Sequence, residues 1–233
     1  MTDTFRGFRP EALQFLVDLA LHNERSWFQP RKAEYERLLK GPLEALCVAV
    51  DDAFIARGVP LSADPGRSPF RIYRDVRFSK DKSPYKTQAS ASFPWTGEGG
   101  GVGGYLHLEP GSVFVGGGMW HPASERLAGW RQTVIDDRVR VHGLLDDPGF
   151  RYTFGSVGGD RLKRGPTGFP PDDPDIELLK LKDVTFSHPL SDDDVLSPGL
   201  PSRIADTLAL AVPILELLAA LPSGEGDARW LRD

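Results

Sequence analysis

Apolar residues recur every three or four positions in the first quarter of the chain and every second position further on. Leu13, Leu16, Leu19 and Ala20 follow Pro10 at helical spacing and predict a helix over residues 11–22, with Pro10 in its first turn. Tyr35, Leu38, Leu39, Leu43, Leu46, Val50 and Phe54 share one face of a second helix, 31–56, that stops at Gly58. Gly41 and Pro42 fall inside it and should kink or divide it, because proline brings no N–H and crowds the preceding turn.

Past the turn-rich SADPGRSP the period drops to two. In PFRIYRDVRFS, Phe70, Ile72, Val76 and Phe78 are apolar, whereas Arg71, Tyr73, Asp75, Arg77 and Ser79 are polar. This predicts a strand over 70–79 with one buried face. Further strands are expected at 85–93, 105–109 and 112–119, the last two joined across Pro110 and Gly111 as a hairpin. Helical spacing returns at 122–140, with Leu127, Trp130, Val134 and Ile135 inward. The rest reads as two short strands within 151–163, a short helix at 176–182, a short strand at 184–187 and a closing helix at 202–221 kinked at Pro213. The pattern predicts an α+β fold: a mainly antiparallel meander covered by helices, one domain over 1–233 with a short tail at 222–233.

Composition fits this reading. Among 233 residues, 40% are hydrophobic, enough for a sizeable core, while 25 Gly and 20 Pro call for many turns. The opening MTDTFRGFRP has no secretory pattern, and no apolar run is long enough to span a bilayer, so a cytoplasmic protein without membrane association is expected. The single cysteine, Cys47, excludes an internal disulfide and falls on the apolar stripe of its helix as a core thiol.

Charge changes the picture locally. The net charge of −5 disfavours wholesale nucleic-acid binding, yet residues 67–86 hold seven cations against Asp75 and Asp81. Arg74 interrupts the apolar side of its predicted strand, so it needs a carboxylate partner, a bound anion or a bulge that turns it outward. Arginine suits bidentate recognition of phosphate or carboxylate, and Arg71, Arg77, Lys80, Lys82 and Lys86 could reinforce it; a solvated charge ladder explains Arg71, Asp75 and Arg77 equally well.

Gly116, Gly117 and Gly118 bare a strand end that leads into Trp120 and His121 at a helix start, where free amides would favour an anion; tight packing is the competing reading. His107 and Glu109 lie two apart on one strand face, and His121 could complete a metal site with them, but no recognised ligand spacing supports it. Gly99, Gly101 and Gly104 spell G-x-G-x-x-G before a strand rather than a helix, so the phosphate mechanism is missing. No Walker lysine, G-x-S-x-G or H-E-x-x-H pattern occurs.

The segments PFRIYRDVRFSKDKSPYKTQ, NERSWFQPRKAEYERL, GGYLHLEPGSVFVGGGMWHP and LKRGPTGFPPDDPDIELLKLKDVTF together resemble domain-of-unknown-function family 2461, found in bacteria and fungi, over about residues 8–221. The resemblance implies one family-length domain and carries no catalytic residue, substrate or cofactor over to this chain.

The residues themselves favour a site for an anionic, phosphate- or carboxylate-bearing small molecule. Arg71, Arg74, Arg77, Lys86 and Trp120 would line it, and Asp75 or His121 would be its proton-transfer groups, with no metal and no cofactor. Whether such a site would be an enzyme or a binder stays open. The alternative is an interaction module whose basic sheet surface docks an acidic protein or nucleic acid. A concave pocket argues for the first and a flat exposed stripe for the second.

Overall fold

In a computed structural model of the chain, residues 4–77, 79–224 and 227 are described. Helix α1, Pro10–Leu21, starts on its proline and buries Ala12, Phe15, Leu16 and Leu19. The second helical stretch is stepped: short turns Arg25–Phe28 and Lys32–Tyr35, a π-turn over Glu36–Lys40, then α2, Gly41–Arg57. The π-turn falls immediately before Gly41 and Pro42, where one widened turn absorbs the missing N–H without ending the helix. Cys47 is fully buried on α2, and burial pushes its thiol up to about 12, which keeps it protonated in the core.

Four strands form one antiparallel meander in the order β1 (Ala89–Pro94), β2 (Gly103–Leu108), β3 (Phe114–Met119) and β4 (Val184–Pro189). Between β2 and β3 the Ser112 amide donates to the Glu109 carbonyl at 2.9 Å, with Gly111 at φ 79°. Pro110 followed by a left-handed glycine is the chemistry of a type II turn.

After β3 come α3 (Ser124–Asp136), α4 (Arg138–Leu145) and α5 (Pro148–Phe154), and after β4 come α6 (Leu200–Ala209) and α7 (Val212–Ala219). The register sorts the sheet into two faces. One carries Ala91, Leu106, Val115 and His188 in a row, with Phe93, Gly104, Gly117 and Phe186 in the next. Helix α2 packs on β1, and α6 and α7 on β3, against this face. The other face presents Ser92, Tyr105, Gly116 and Ser187, then Ser90, His107, Phe114 and Pro189. The architecture is α+β in one domain, as the periodicities predict. No helix among the described residues is long and apolar enough to cross a membrane.

Several elements differ from expectation. The strand expected over 70–79 does not form among the described residues there: the segment pairs through isolated bridges, Pro69 with Ala91 just before it and Tyr73 with Tyr85 within it. Local polar bonds capture the backbone instead. Asp75 accepts from the Arg77 amide at 3.1 Å, Lys82 Nζ donates to the Val76 carbonyl at 2.8 Å, and Asp81 accepts from the Ser83 amide at 2.9 Å. Phe78, expected on the apolar side, lies outside the described residues. The fourth strand is β4, two residues longer than the short strand expected there.

Within 151–163 a helix replaces the first expected strand, because Asp147 caps it by accepting from the amides of Gly149 and Phe150 at 2.9 and 3.0 Å, with Pro148 in the first turn. The helix expected over 122–140 is two, α3 and α4, and the closing helix divides before Pro213. Trp130 is fully buried on α3, its Nε1 donating to the Leu178 carbonyl at 3.1 Å.

The sequence pattern did not single out Arg126, whose guanidinium is 0% exposed. Its Nε donates to Asp227 Oδ2 at 2.8 Å, its Nη1 to the Leu218 carbonyl at 2.7 Å and its Nη2 to Ser223 Oγ at 3.2 Å. Asp227 therefore ties part of the expected tail to the core; 225–226 and 228–233 lie outside the described residues.

Candidate functional site

The face of the sheet turned away from α2, α6 and α7 is the floor of a cleft of about 780 Å³, within the range of about 300–1,000 Å³ usual for small-molecule sites. One wall comes from the segment running along the free edge of β1, with Phe70, Lys86 and Gln88. The opposite wall comes from the end of α5 and the segment paired with β4, with Phe154, Ser156, Gly158 and Gly159. Trp120, just beyond β3, also lines it and is 49% exposed.

The floor alternates rings, hydroxyls and bare backbone. Tyr105 packs edge-on against Phe70 at 6.0 Å, and His107 stacks on Phe114 at 4.8 Å. Beside them Gly116 and Gly118 present no side chain. A Cβ at either would collide with β4 carbonyl oxygens, of Phe186 and Val184 respectively, so the close approach of β3 and β4 requires glycine at both. The polar groups on the floor and walls are largely neutral: Gln88, Ser90, Tyr105, Ser156, Thr185 and Ser187. Among the described lining residues Lys86 carries the formal positive charge, and its Nζ lies 5.0 Å from the centre of the Phe70 ring.

A line of hydrogen bonds runs along β2. The Tyr105 hydroxyl lies 3.2 Å from His107 Nδ1, and His107 Nε2 lies 3.3 Å from Glu109 Oε2. The Thr87 hydroxyl donates to Glu109 Oε1 at 2.7 Å and fixes the carboxylate. Burial pushes the Tyr105 phenol above its ordinary value; a hydrogen bond from Ser90 opposes this and the Glu109 charge adds to it. The phenol is therefore protonated at rest. Alternation in YLHLE puts these three side chains on one face, a signal the sequence carries but one that points to metal as readily as to proton transfer.

Of the residues singled out by sequence, Lys86, His107, Gly116, Gly117, Gly118 and Trp120 line the cleft. Arg74, 31% exposed, is paired with Asp81, whose carboxyl is held well below its usual range by the Ser83 hydroxyl and Arg74. Arg77 forks onto Asp75 and, with its amide, holds that carboxyl down to about 2, which keeps it ionised near neutrality. Arg71 is exposed. His121 sits at φ 49° beside Trp120, its amide donating to Asp183 at 2.6 Å. At the start of the helix that follows, the Ala123 amide donates to Asp227 at 2.8 Å, so the anion at that helix end is the chain's own carboxylate. No cluster of three metal-ligating side chains forms among the described residues.

Fold and site define an α+β domain with a ring-walled cleft on the uncovered face of an antiparallel meander. The match of residues 11–216 to the family described as Conserved hypothetical protein (DUF2461) agrees with the resemblance read from the sequence. The chain belongs to that family. No curated protein and no solved structure is similar to it at the level of a match.

Proposed function

We propose that the protein binds a small molecule in this cleft, one with a flat or ring-shaped body and an anionic group beside Lys86. The observation that carries the reading is the concave floor itself: bare glycine backbone between Tyr105, His107 and Phe114, walled by aromatic rings and neutral hydrogen-bonding groups. Lys86 supplies the cation that the sequence reading sought in Arg74. The alternative of a docking surface lacks its flat basic stripe, because Arg74 and Arg77 are paired with the nearby Asp81 and Asp75.

The test is a thermal-shift screen of aromatic carboxylates and phosphates against their neutral counterparts. A ligand at a hundred times its Kd stabilises by about 2.7 kcal/mol. Lys86→Met should abolish the preference for the anionic member of each pair. Gly158→Leu should weaken both members, since a Cβ added at this cleft-lining position meets no atom within 4 Å and leaves room for a bulky group without moving the backbone. Equal shifts in all three proteins would refute the site.

A further inference from the structure

Tyr105 and His107 line the cleft, and Glu109 continues their line of hydrogen bonds beyond it. Glu109, when ionised, only accepts hydrogen bonds, so the proton between it and His107 belongs on Nε2. Nδ1 of a neutral ring then has a lone pair and no proton, so the Tyr105 hydroxyl is the donor across the 3.2 Å contact. The donors thus point one way, from the cleft floor through His107 to a carboxylate that is 37% exposed just past the end of β2. Ser90, hydrogen bonded to the phenol oxygen, favours the phenolate that forms if the proton leaves.

We propose that Tyr105 is a catalytic general base, with His107 taking its proton and Glu109 as the positioning residue, and that the bound molecule carries an acidic C–H. This rests on the reading of the cleft as a small-molecule site. The step is a double proton transfer. The C–H bond of the ligand breaks and its proton joins the Tyr105 oxygen, while the Tyr105 O–H bond breaks and that proton joins His107 Nδ1. The electron pair stays on the ligand, and the imidazolium is held against the Glu109 carboxylate. The two contacts of 3.2 and 3.3 Å are long, as unliganded catalytic hydrogen bonds often are. The groups facing the relay are Ser90 and Thr87 from the β1 side, Phe114 from β3 and, as the neighbouring charge in the cleft, Lys86.

The probe is a nitrobenzisoxazole, a flat aromatic whose ring opens when a base removes its one acidic C–H: the pair left on carbon forms a nitrile as the N–O bond breaks, releasing a coloured phenolate. Turnover and thermal shift are measured together on the wild type, Tyr105→Phe, His107→Gln and Glu109→Gln. Tyr105→Phe keeps the ring contacts with Phe70 and Phe114, so it preserves the floor. The expected result is a fall of about a hundredfold or more in kcat for Tyr105→Phe and His107→Gln at unchanged thermal shift. Glu109→Gln should displace the acid limb of the pH–rate profile, with KM little altered. If the probe stabilises wild type and Tyr105→Phe alike but both turn it over equally, or not at all, the relay is refuted while the cleft stands. If no protein is stabilised by the probe and Gly158→Leu makes no difference, both readings fall.

Discussion

The two faces of the meander are built from alternate residues of the same strands, yet they divide stability and chemistry between them. On one face Ala91, Leu106 and Val115 are fully buried beneath helices. Tyr105 and Ser187 are each one position in sequence from a buried residue, Leu106 and Phe186, yet both line the cleft on the other face. A strand's period of two makes such a division cheap: no extra element is needed to set a polar site directly on a rigid apolar core.

The sharpest test of this division lies on the covered side, where α7 holds the buried guanidinium. Asp227→Asn should cost about 3–5 kcal/mol by chemical denaturation, because Arg126 is left charged and dry without its counterion. Burial raises the Asp227 carboxyl, but hydrogen bonds from Arg126 and the amides of Gly224 and Ala123 outweigh it and set the native value below the unfolded one. The contribution is therefore complete above the unfolded pKa, about 3.9, and is lost as pH falls through the lower native value. The gap between wild type and Asp227→Asn should narrow in acid, and a gap independent of pH would deny the pair. Leu106→Ala, in the middle of the covered face, should cost about 2–5 kcal/mol. Ser187→Ala, exposed on the open face, should change stability by no more than about 0.5 kcal/mol. A loss at Ser187 as large as that at Leu106 would mean that the open face is packed, and the division would fail.

Much of this was legible beforehand. Three strands of the meander, the hairpin at Pro110 and Gly111, the helix at Pro10 and the core thiol were legible from spacing and turn residues. Arg74 shows where spacing misleads: alternation argues for a buried cation only if the segment is a strand, and here Asp75 and Asp81 accept from neighbouring amides instead. Arg126 shows the opposite failure. Nothing in SERLAGW marks it as buried, since its partners Leu218, Ser223 and Asp227 lie more than 90 residues away. The cleft was half visible: Lys86, Trp120 and the pair His107 and Glu109 drew notice, whereas Tyr105, Ser90 and Thr185 became candidates only when the register put them on one face.

Gly116 and Gly118 bear on how such a site could have arisen. Strand β4 excludes a Cβ at both positions, so the smooth ground beneath the cleft is a by-product of sheet assembly and would exist with no ligand to select it. Descent within the family should then hold these two glycines fixed whatever each member binds. Divergence of ligand preference should be written in the walls, at Phe70, Gln88 and Ser156, which lie outside the four strands.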